Sequence, residues 1–431
     1  MPEFKTVRGM RDFLPNEAAT MRYVENITQE LAQLYGFQEI ITPIMESYEL
    51  LAAKSGEEVR QRMYAFEDLG GRRVSLRPEF TASVARLIAT TLRNEPKPIR
   101  LYCVGSLYRY DEPQFGRFRE FWQSNYELFG TSRPEADVEI LMLTNDLFKK
   151  TGIHNYWFKI GHVGIIRAIL NAENIEEENQ NKIMQLLDKQ QWNDALVLAK
   201  ELNVSAQGIT TLKKIFKIKG KDSSKVLKEI KNTVRNYEEA LSAVENFKEI
   251  LVLLKEGDAE FDLYIEAGFA RGLEYYTGII CEVAVPDMDV ALAGGGRYDR
   301  LIELFGGEPT PAVGIAHGID RITLAMEKQQ IQPKISAEKR VMIIFIGEEL
   351  KGESFKIASK LRATGIPAEL EVMGRTVTRA LHDADRKGIT HAIIIGPKEL
   401  KRKEVTIRDM KKRKQRVIKV KNLLKEIQTI S

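Results

Sequence analysis

Apolar positions recur at helical spacing from Asn16 to Tyr35, where Met21, Val24, Ile27, Leu31 and Leu34 share one face. Gly36 follows as the residue that ends such a helix. Phe37–Thr42 reads as a short strand, confined by Pro43 to an edge or a terminus. Arg72–Leu76 predicts a further strand, and Thr81–Arg93 a helix after the polar run Arg77-Pro78-Glu79-Phe80-Thr81. Leu101 to Phe129 reads as two strands around a polar loop, and Asp137–Thr151 as a helix.

The pattern changes between Gly164 and Gly257, which is rich in Leu, Ile, Lys, Glu and Asn and contains no proline. Asp222-Ser223-Ser224 offers N-caps for one long helix, along which Ile230, Val234, Tyr237, Leu241, Val244, Leu251 and Leu254 keep a near-heptad stripe. This predicts a helical insertion, 164–257, between strands at Tyr156–Gly161 and Glu260–Glu266. The stripe reads as a packing face, and the insertion as a module that clamps a large substrate. Strands and Gly-rich turns return from Phe261 to Ala316, with a helix over Asp320–Lys328.

Gln329–Glu338, polar and containing Pro333, reads as a linker. Beyond it, strand candidates at Val341–Ile346, Glu369–Met373, Ala392–Ile395, Glu404–Ile407 and Arg416–Val420 alternate with helices at Phe355–Thr364, Thr376–Lys387 and Leu423–Thr429. Such alternation predicts a compact α/β domain over 339–431, after a larger unit over 1–328.

Charge sharpens this division. The segment from Lys339 carries 23 basic and 11 acidic side chains, a surplus of twelve, whereas the remainder carries 42 and 50. A basic terminal domain on an acidic body predicts a polyanion docking on the former. Five histidines show no ligand spacing, so no structural metal is expected. Cys103 and Cys281 lie in apolar runs and read as buried thiols in a reducing cytosol, with a disulfide as the alternative. No apolar run approaches the roughly 18 residues of a membrane span, and Met1–Met10 has no signal-peptide core; a cytoplasmic protein with no membrane contact is expected.

Chemistry concentrates in a few segments. Alternation along the second strand of the Tyr108–Glu127 unit puts Arg119, Phe121, Gln123, Asn125 and Glu127 on one face, and Trp122, Tyr126 and Leu128 on the other. Charged and amide side chains on one face of a central strand suit the floor of a polar pocket; a hairpin with a solvated face is the alternative. Arg109 and Asp111 share the partner strand, and Arg117 and Arg119 flank Phe118 in a loop able to meet phosphates and a base. Glu79 can accept from an ammonium group; Thr81 can add a hydrogen bond or cap its helix. Gly294-Gly295-Gly296-Arg297-Tyr298 reads either as close backbone approach to a ligand or as a flexible turn. Arg321 lies one turn into a helix after a small-residue strand, where it can clamp a terminal phosphate. His317 reads as structural.

These residues resemble the histidyl-tRNA synthetase family of class II aminoacyl-tRNA synthetases over essentially the whole chain. Glu39–Glu46 with Pro43 looks like motif 1, Tyr108–Asp111 through Arg119–Gln123 like motif 2, and Gly314–Arg321 like motif 3. Arg271-Gly272-Leu273-Glu274-Tyr275-Tyr276 resembles the histidine-specific signature, and Arg77-Pro78-Glu79 and Gly294–Asp299 add to it. Asp111 departs from the glutamate common in motif 2, and Phe80 stands where a smaller residue is frequent.

The resemblance implies an α/β fold with an antiparallel six-stranded class II catalytic sheet, a helical insertion and a mixed α/β anticodon-binding domain. It implies a homodimer and a two-step ligase reaction. L-Histidine and ATP with Mg2+ would give histidyl-adenylate, and the histidyl group would pass to the 3′ end of tRNA(His). Arg109 and Arg271 would be catalytic at the carboxylate and α-phosphate. Glu79, Thr81 and Gln123 would hold the amino group, with Glu127, Tyr275 and Tyr276 at the imidazole. Phe121 would stack on adenine, Arg321 would meet the γ-phosphate, and Asp111 and Arg117 would complete the ATP site. Lys398, Lys401, Arg402, Lys403, Arg408 and Lys411–Lys414 would meet tRNA phosphates, or form a solvated basic face. The main rival is a synthetase-like regulatory subunit of ATP phosphoribosyltransferase, which lacks the tRNA-binding tail and the catalytic arginines retained here. A synthetase for another amino acid and a pure RNA-binding module are further rivals; the paired tyrosines with Glu127 oppose the first, the polar pocket the second.

Overall fold

The computed structural model describes residues 4–53, 55–333 and 340–429. The chain divides into two compact units, Met1–Lys334 and Ile335–Ser431. In chain order, the strands of the first unit are β1 (Gln38–Glu39), β2 (Met45–Ser47), β3 (Ala65–Glu67), β4 (Arg73–Leu76), β5 (Ile99–Tyr108), β6 (Glu120–Phe129) and β7 (Trp157–His162). They continue with β8 (Lys219–Gly220), β9 (Asp262–Glu266), β10 (Ile279–Ala284), β11 (Ala293–Arg297) and β12 (Ala312–Gly318).

Nine of these form one sheet in the order β1-β5-β6-β12-β11-β10-β7-β9-β8. The six strands from β5 to β7 are antiparallel throughout, as expected. The sheet is wider than expected because β1 adds in parallel to β5, and β9 in parallel to β7. β2, β4 and β3 make a separate antiparallel sheet, whose β4 delivers Arg77–Glu79 to the large one.

Register places the site. Glu127 pairs with Gly314, Gly314 with Gly296, and Gly294 with Glu282. The Gly294–Gly296 run is therefore central strand, not a turn. Helices Pro15–Leu34, Pro134–Thr151, Val163–Ala172, Glu238–Glu256 and Ile319–Lys328 pack on the sheet, burying Met21, Val24, Ile27 and Leu31 of the first, while Leu34, at its end, stays exposed.

The insertion differs from the expected module in two ways. Its first and last helices pack on the sheet, and Ile166, Phe247 and Ile250 belong to the same core as Tyr126 and Ile315. The long helix is two, Ser223–Thr233 and Glu238–Glu256, joined by a turn in which Tyr237 N–H bonds Val234 O at 2.8 Å. The break buries Val234 and Tyr237, stripe residues that a continuous helix would carry along one line. Asp222 does cap the first helix, accepting from Lys225 N at 3.0 Å.

The predicted linker begins on the body: Gln329 bonds the backbone of His154 in both directions, at 3.0 and 2.8 Å, and Ile331 packs on the core. Its residues 334–338 lie outside the described residues. The second unit holds β13 (Val341–Phe345), β14 (Ala368–Leu370), β15 (His391–Ile395), β16 (Glu404–Asp409) and β17 (Lys414–Lys419) in the order β14-β13-β15-β16-β17. Helices Lys351–Ala363 and Val377–Arg386 supply its apolar layers, in two clusters built on opposite residues of β13. The short helix Pro397–Lys401 was not foreseen; five residues are too few for a periodic signal.

Candidate active site

Strand β6 lays the floor of a cavity of about 300 Å³. Phe121, Gln123, Asn125 and Glu127 line it, while Tyr126 and Leu128 enter the core, as period-two alternation requires. Two residues depart. Trp122 also reaches the rim, its N–H held by the Asp320 carboxylate. Arg119 precedes the strand and turns away. Its guanidinium lies over the Tyr110 ring at 3.7 Å, and Nε donates to Asp111 O at 3.1 Å. It therefore supports the loop and does not line the cavity.

One end of the cavity is carboxylate and phenol. Glu127 is 1% exposed and takes hydrogen bonds from Thr81 Oγ1 at 2.7 Å, Asn125 Nδ2 at 3.4 Å and the Tyr298 hydroxyl. Burial pushes its carboxyl up to about 7, and those donors pull against it. Gly314 makes room: a Cβ there would meet Glu127 Oε2 at 1.6 Å. Glu79 is also raised by burial, and the Tyr275 hydroxyl donates to it at 3.1 Å. Tyr276 lies against Tyr275 with ring centroids 5.0 Å apart, and burial keeps both phenols protonated at neutral pH. Thr81 neither caps its helix, whose cap residue is Phe80, nor bonds Glu79; its hydroxyl serves Glu127.

The other end is cationic. Arg109 is half-buried, donating from Nε to Pro78 O at 2.9 Å and lying 5.3 Å over the Phe121 ring. Arg321 donates to Gly116 O at 3.1 Å and Ala291 O at 2.8 Å. Burial first, then the charges of Arg109, Arg117 and Arg271, lower its guanidinium to about 10. Arg271 is half-buried; burial lowers its guanidinium, but Glu282, 2.8 Å away, and then Tyr276 and Asp188 outweigh that and hold it above its ordinary value. Asp111 faces the cavity and pairs with Arg62 at 3.1 Å. Among the described residues Arg109, Arg117 and Arg321 have no carboxylate within ion-pair distance, so the pocket holds positive charge in want of an anion.

All twelve residues singled out for catalysis, histidine and ATP thus line one cavity. Sequence reasoning missed Tyr298, which a period-two count from Gly294 places on the cavity face, and Asp320, which joins Trp122 N–H to Arg11. Arg11 also covers the Phe118 ring at 3.3 Å, so the N-terminal segment braces the loop. His317 is buried on the opposite face between Thr144 at 3.1 Å and Ser124 at 3.5 Å, lowered by burial to about 3. Both cysteines are buried and free. No group of three or more His, Cys, Asp or Glu able to hold a metal occurs among the described residues. In the second unit, Lys401 ends the short helix and Arg402 and Lys403 follow in a turn, all three exposed, while Arg408 lies half-buried on β16 with Gln415 at 3.4 Å.

Residues 9–322 match the histidyl-tRNA synthetase family model, and residues 340–430 match the anticodon binding domain. The histidine–tRNA ligase of Methanocaldococcus jannaschii is 41% identical over 423 residues, covering 97% of this chain and 98% of that one. A crystal structure of histidyl-tRNA synthetase from S. aureus superposes with a TM-score of 0.70 at 26% identity, covering 99% of this chain and 100% of that one. An ATP phosphoribosyltransferase regulatory subunit/histidyl-tRNA synthetase from Bacillus halodurans superposes with a TM-score of 0.77 at 26% identity, covering 92% of this chain and 99% of that one. The match of both family models and the near-full-length identity to curated ligases do not favour the regulatory reading. The chain belongs to the histidyl-tRNA synthetase family, class II ligases that join histidine to tRNA.

Proposed function

We propose that the cavity binds L-histidine at its Glu127–Tyr276 end and ATP, with its Mg2+, at its Arg109–Arg321 end. One observation carries this reading: a buried carboxylate pair with phenols shares one small cavity with half-buried arginines, three of them without a carboxylate partner among the described residues. Neutral imidazole offers one donor and one acceptor. Glu127 accepts from the first, and the Tyr276 hydroxyl donates to the second. Glu79 and Gln123 take the ammonium group, and Thr81 acts on Glu127 instead of touching the substrate. A site built on such bonds rejects isosteres lacking them by about 10⁴–10⁵-fold.

The histidine carboxylate attacks the α-phosphorus, the bond to the bridging β-phosphate oxygen breaks, and pyrophosphate leaves. Arg109 and Arg271 stabilise the added charge at phosphorus with groups already in place. Phe121 stacks on adenine, Arg321 takes the γ-phosphate, and Asp111 and Arg117 border the nucleotide. A ribose hydroxyl at the 3′ end of tRNA(His) then attacks the carbonyl carbon of the adenylate, and AMP leaves. Lys401, Arg402, Lys403 and Arg408 contact tRNA phosphates in the anticodon-binding domain. The catalytic body comprises 1–328 and that domain 339–431.

The chain acts as a homodimer through the segment around Pro43: Ile41 is 89% exposed, and Ile44 and Met45 also face solvent. It works in the cytoplasm, in keeping with its free thiols; among the described residues no helix is long and apolar enough to cross a membrane. The test is Arg271→Ala in histidine-dependent ATP–pyrophosphate exchange together with histidine binding. Exchange should fall by orders of magnitude while histidine still binds; near-normal turnover would overturn the assignment.

A further inference from the structure

The segment Arg271–Tyr276 lies outside every helix and strand, so neighbouring elements must fix its shape. Two helices of the insertion do so. From Val163–Ala172, Arg167 donates Nε to Tyr276 O at 3.1 Å and Nη2 to Glu274 O at 3.2 Å. The same guanidinium reaches Asn181 Oδ1 at 3.0 Å and Gln180 Oε1 at 3.5 Å on the next helix, Glu177–Asp188. That helix also sends Gln185 to the Glu274 carboxylate at 3.1 Å, with Arg60 on the same oxygen at 3.4 Å. At its end Asp188 abuts Gly272, where a Cβ would lie 2.8 Å from the carboxylate.

Burial lowers the Arg167 guanidinium from its ordinary value, so enclosing this cation costs free energy that must be offset by its bonds. Its planar fork spans two carbonyls two residues apart, which the single point charge of lysine cannot do. Between those carbonyls sits Tyr275, and Tyr276 carries the second; both rings face the cavity on the other side of the segment. Arg167 itself does not line that cavity.

We propose that Arg167 is a positioning residue for amino-acid selection: it grips the main chain of the Tyr275–Tyr276 segment and so sets the affinity for histidine from outside the pocket. The proposal rests on the assignment of these tyrosines to histidine. It makes the insertion part of the specificity apparatus, since the helices behind the tyrosines are the insertion's own.

The test uses the full chain carrying Arg167→Met, Arg167→Lys or Asn181→Ala, with Tyr276→Phe as the reference. KM for histidine and for ATP are read in pyrophosphate exchange, alongside thermal melting. Arg167→Met should raise the histidine KM at least about tenfold, the size of one to two lost hydrogen bonds. The ATP KM should stay within about twofold. Arg167→Lys should recover part of the loss, and Asn181→Ala should raise the histidine KM about two- to threefold with the same split, so that the claim stands or falls even where Arg167→Met does not fold. An unchanged histidine KM, or a parallel rise of both constants, overturns the proposal. If Tyr276→Phe moves the histidine KM and the Arg167 and Asn181 variants do not, only the positioning role falls. If Tyr276→Phe leaves it unmoved, the histidine assignment itself falls.

Discussion

The guanidinium of Arg271 occupies the space where a side chain at Gly294 would begin: a Cβ there would lie 2.1 Å from Arg271 Nη1. Glu282, the cross-strand partner of Gly294, holds the same guanidinium at 2.8 Å. The glycine thus clears the sheet surface and the glutamate sets the arginine down on it.

Gly294→Ala should therefore act as a substitution of Arg271 made from the strand below. The added methyl forces the guanidinium off Glu282 and, on the proposed assignment, away from the reacting phosphate. Pyrophosphate exchange should fall at least about a hundredfold, within the range for loss of one pre-placed stabilising group. Circular dichroism should still report a folded chain, since alanine is acceptable in a strand. Exchange within a few-fold of the parent would show that Arg271 works from another position.

The elevated carboxyl of Glu127 gives a pH signature. On the proposed assignment histidine binding needs it ionised, and burial makes it protonate below about 7 in the unliganded protein. Lowering the pH from 8 to 6 should raise the histidine KM about tenfold beyond the part due to the substrate's own imidazole, which titrates near ~6.5. Glu127→Gln should have a high KM at all pH values and retain only that shallower substrate component. Stability runs the opposite way with pH. The folded-state value lies above the ordinary 4.5, so the contribution is present below 4.5 and is lost as pH rises to about 7. Saturating histidine should oppose that loss in melting curves. A KM profile identical in parent and variant would remove Glu127 from the imidazole.

Tyr298→Phe tests a residue whose hydroxyl donates to the Glu127 carboxylate. Losing its hydroxyl takes away one of the donors that pull the carboxyl down, so the break in the histidine KM profile should move to higher pH. ATP KM should remain unchanged. A break at the parent's pH would mean that the hydroxyl does not govern the charge of Glu127.

How much of this site was legible depended on periodicity. Phe121 to Glu127 could be assigned because a central strand enforces alternation, and the Arg271–Tyr276 segment because its residue types resemble a family signature. Arg119 was misplaced because the strand starts one residue later, and alternation says nothing of a side chain before it. Tyr298 went unread because the glycines before it suit a turn as well as a strand; only pairing with β10 and β12 decides between them. The break at Val234–Tyr237 left no proline or glycine, and its cause is tertiary, in the burial of both residues. Arg167 was invisible for the same reason: its partners are main-chain oxygens more than a hundred residues away.

The basic turn of the second unit carries a separable claim. Replacing Lys401, Arg402 and Lys403 with alanine should weaken tRNA charging and flatten its salt dependence, each lost phosphate contact reducing the slope by about one. Pyrophosphate exchange without tRNA should be unaffected, because these side chains lie in a unit with cores of its own. Equal loss in both assays would mean that the turn supports the catalytic body.

The most direct measurement is ATP–pyrophosphate exchange on the purified chain, run with histidine and with each other amino acid separately. Exchange that depends on histidine alone is the predicted result, and it would place adenylation and its specificity in this one pocket. Exchange with another amino acid, or none with histidine bound, would contradict the account.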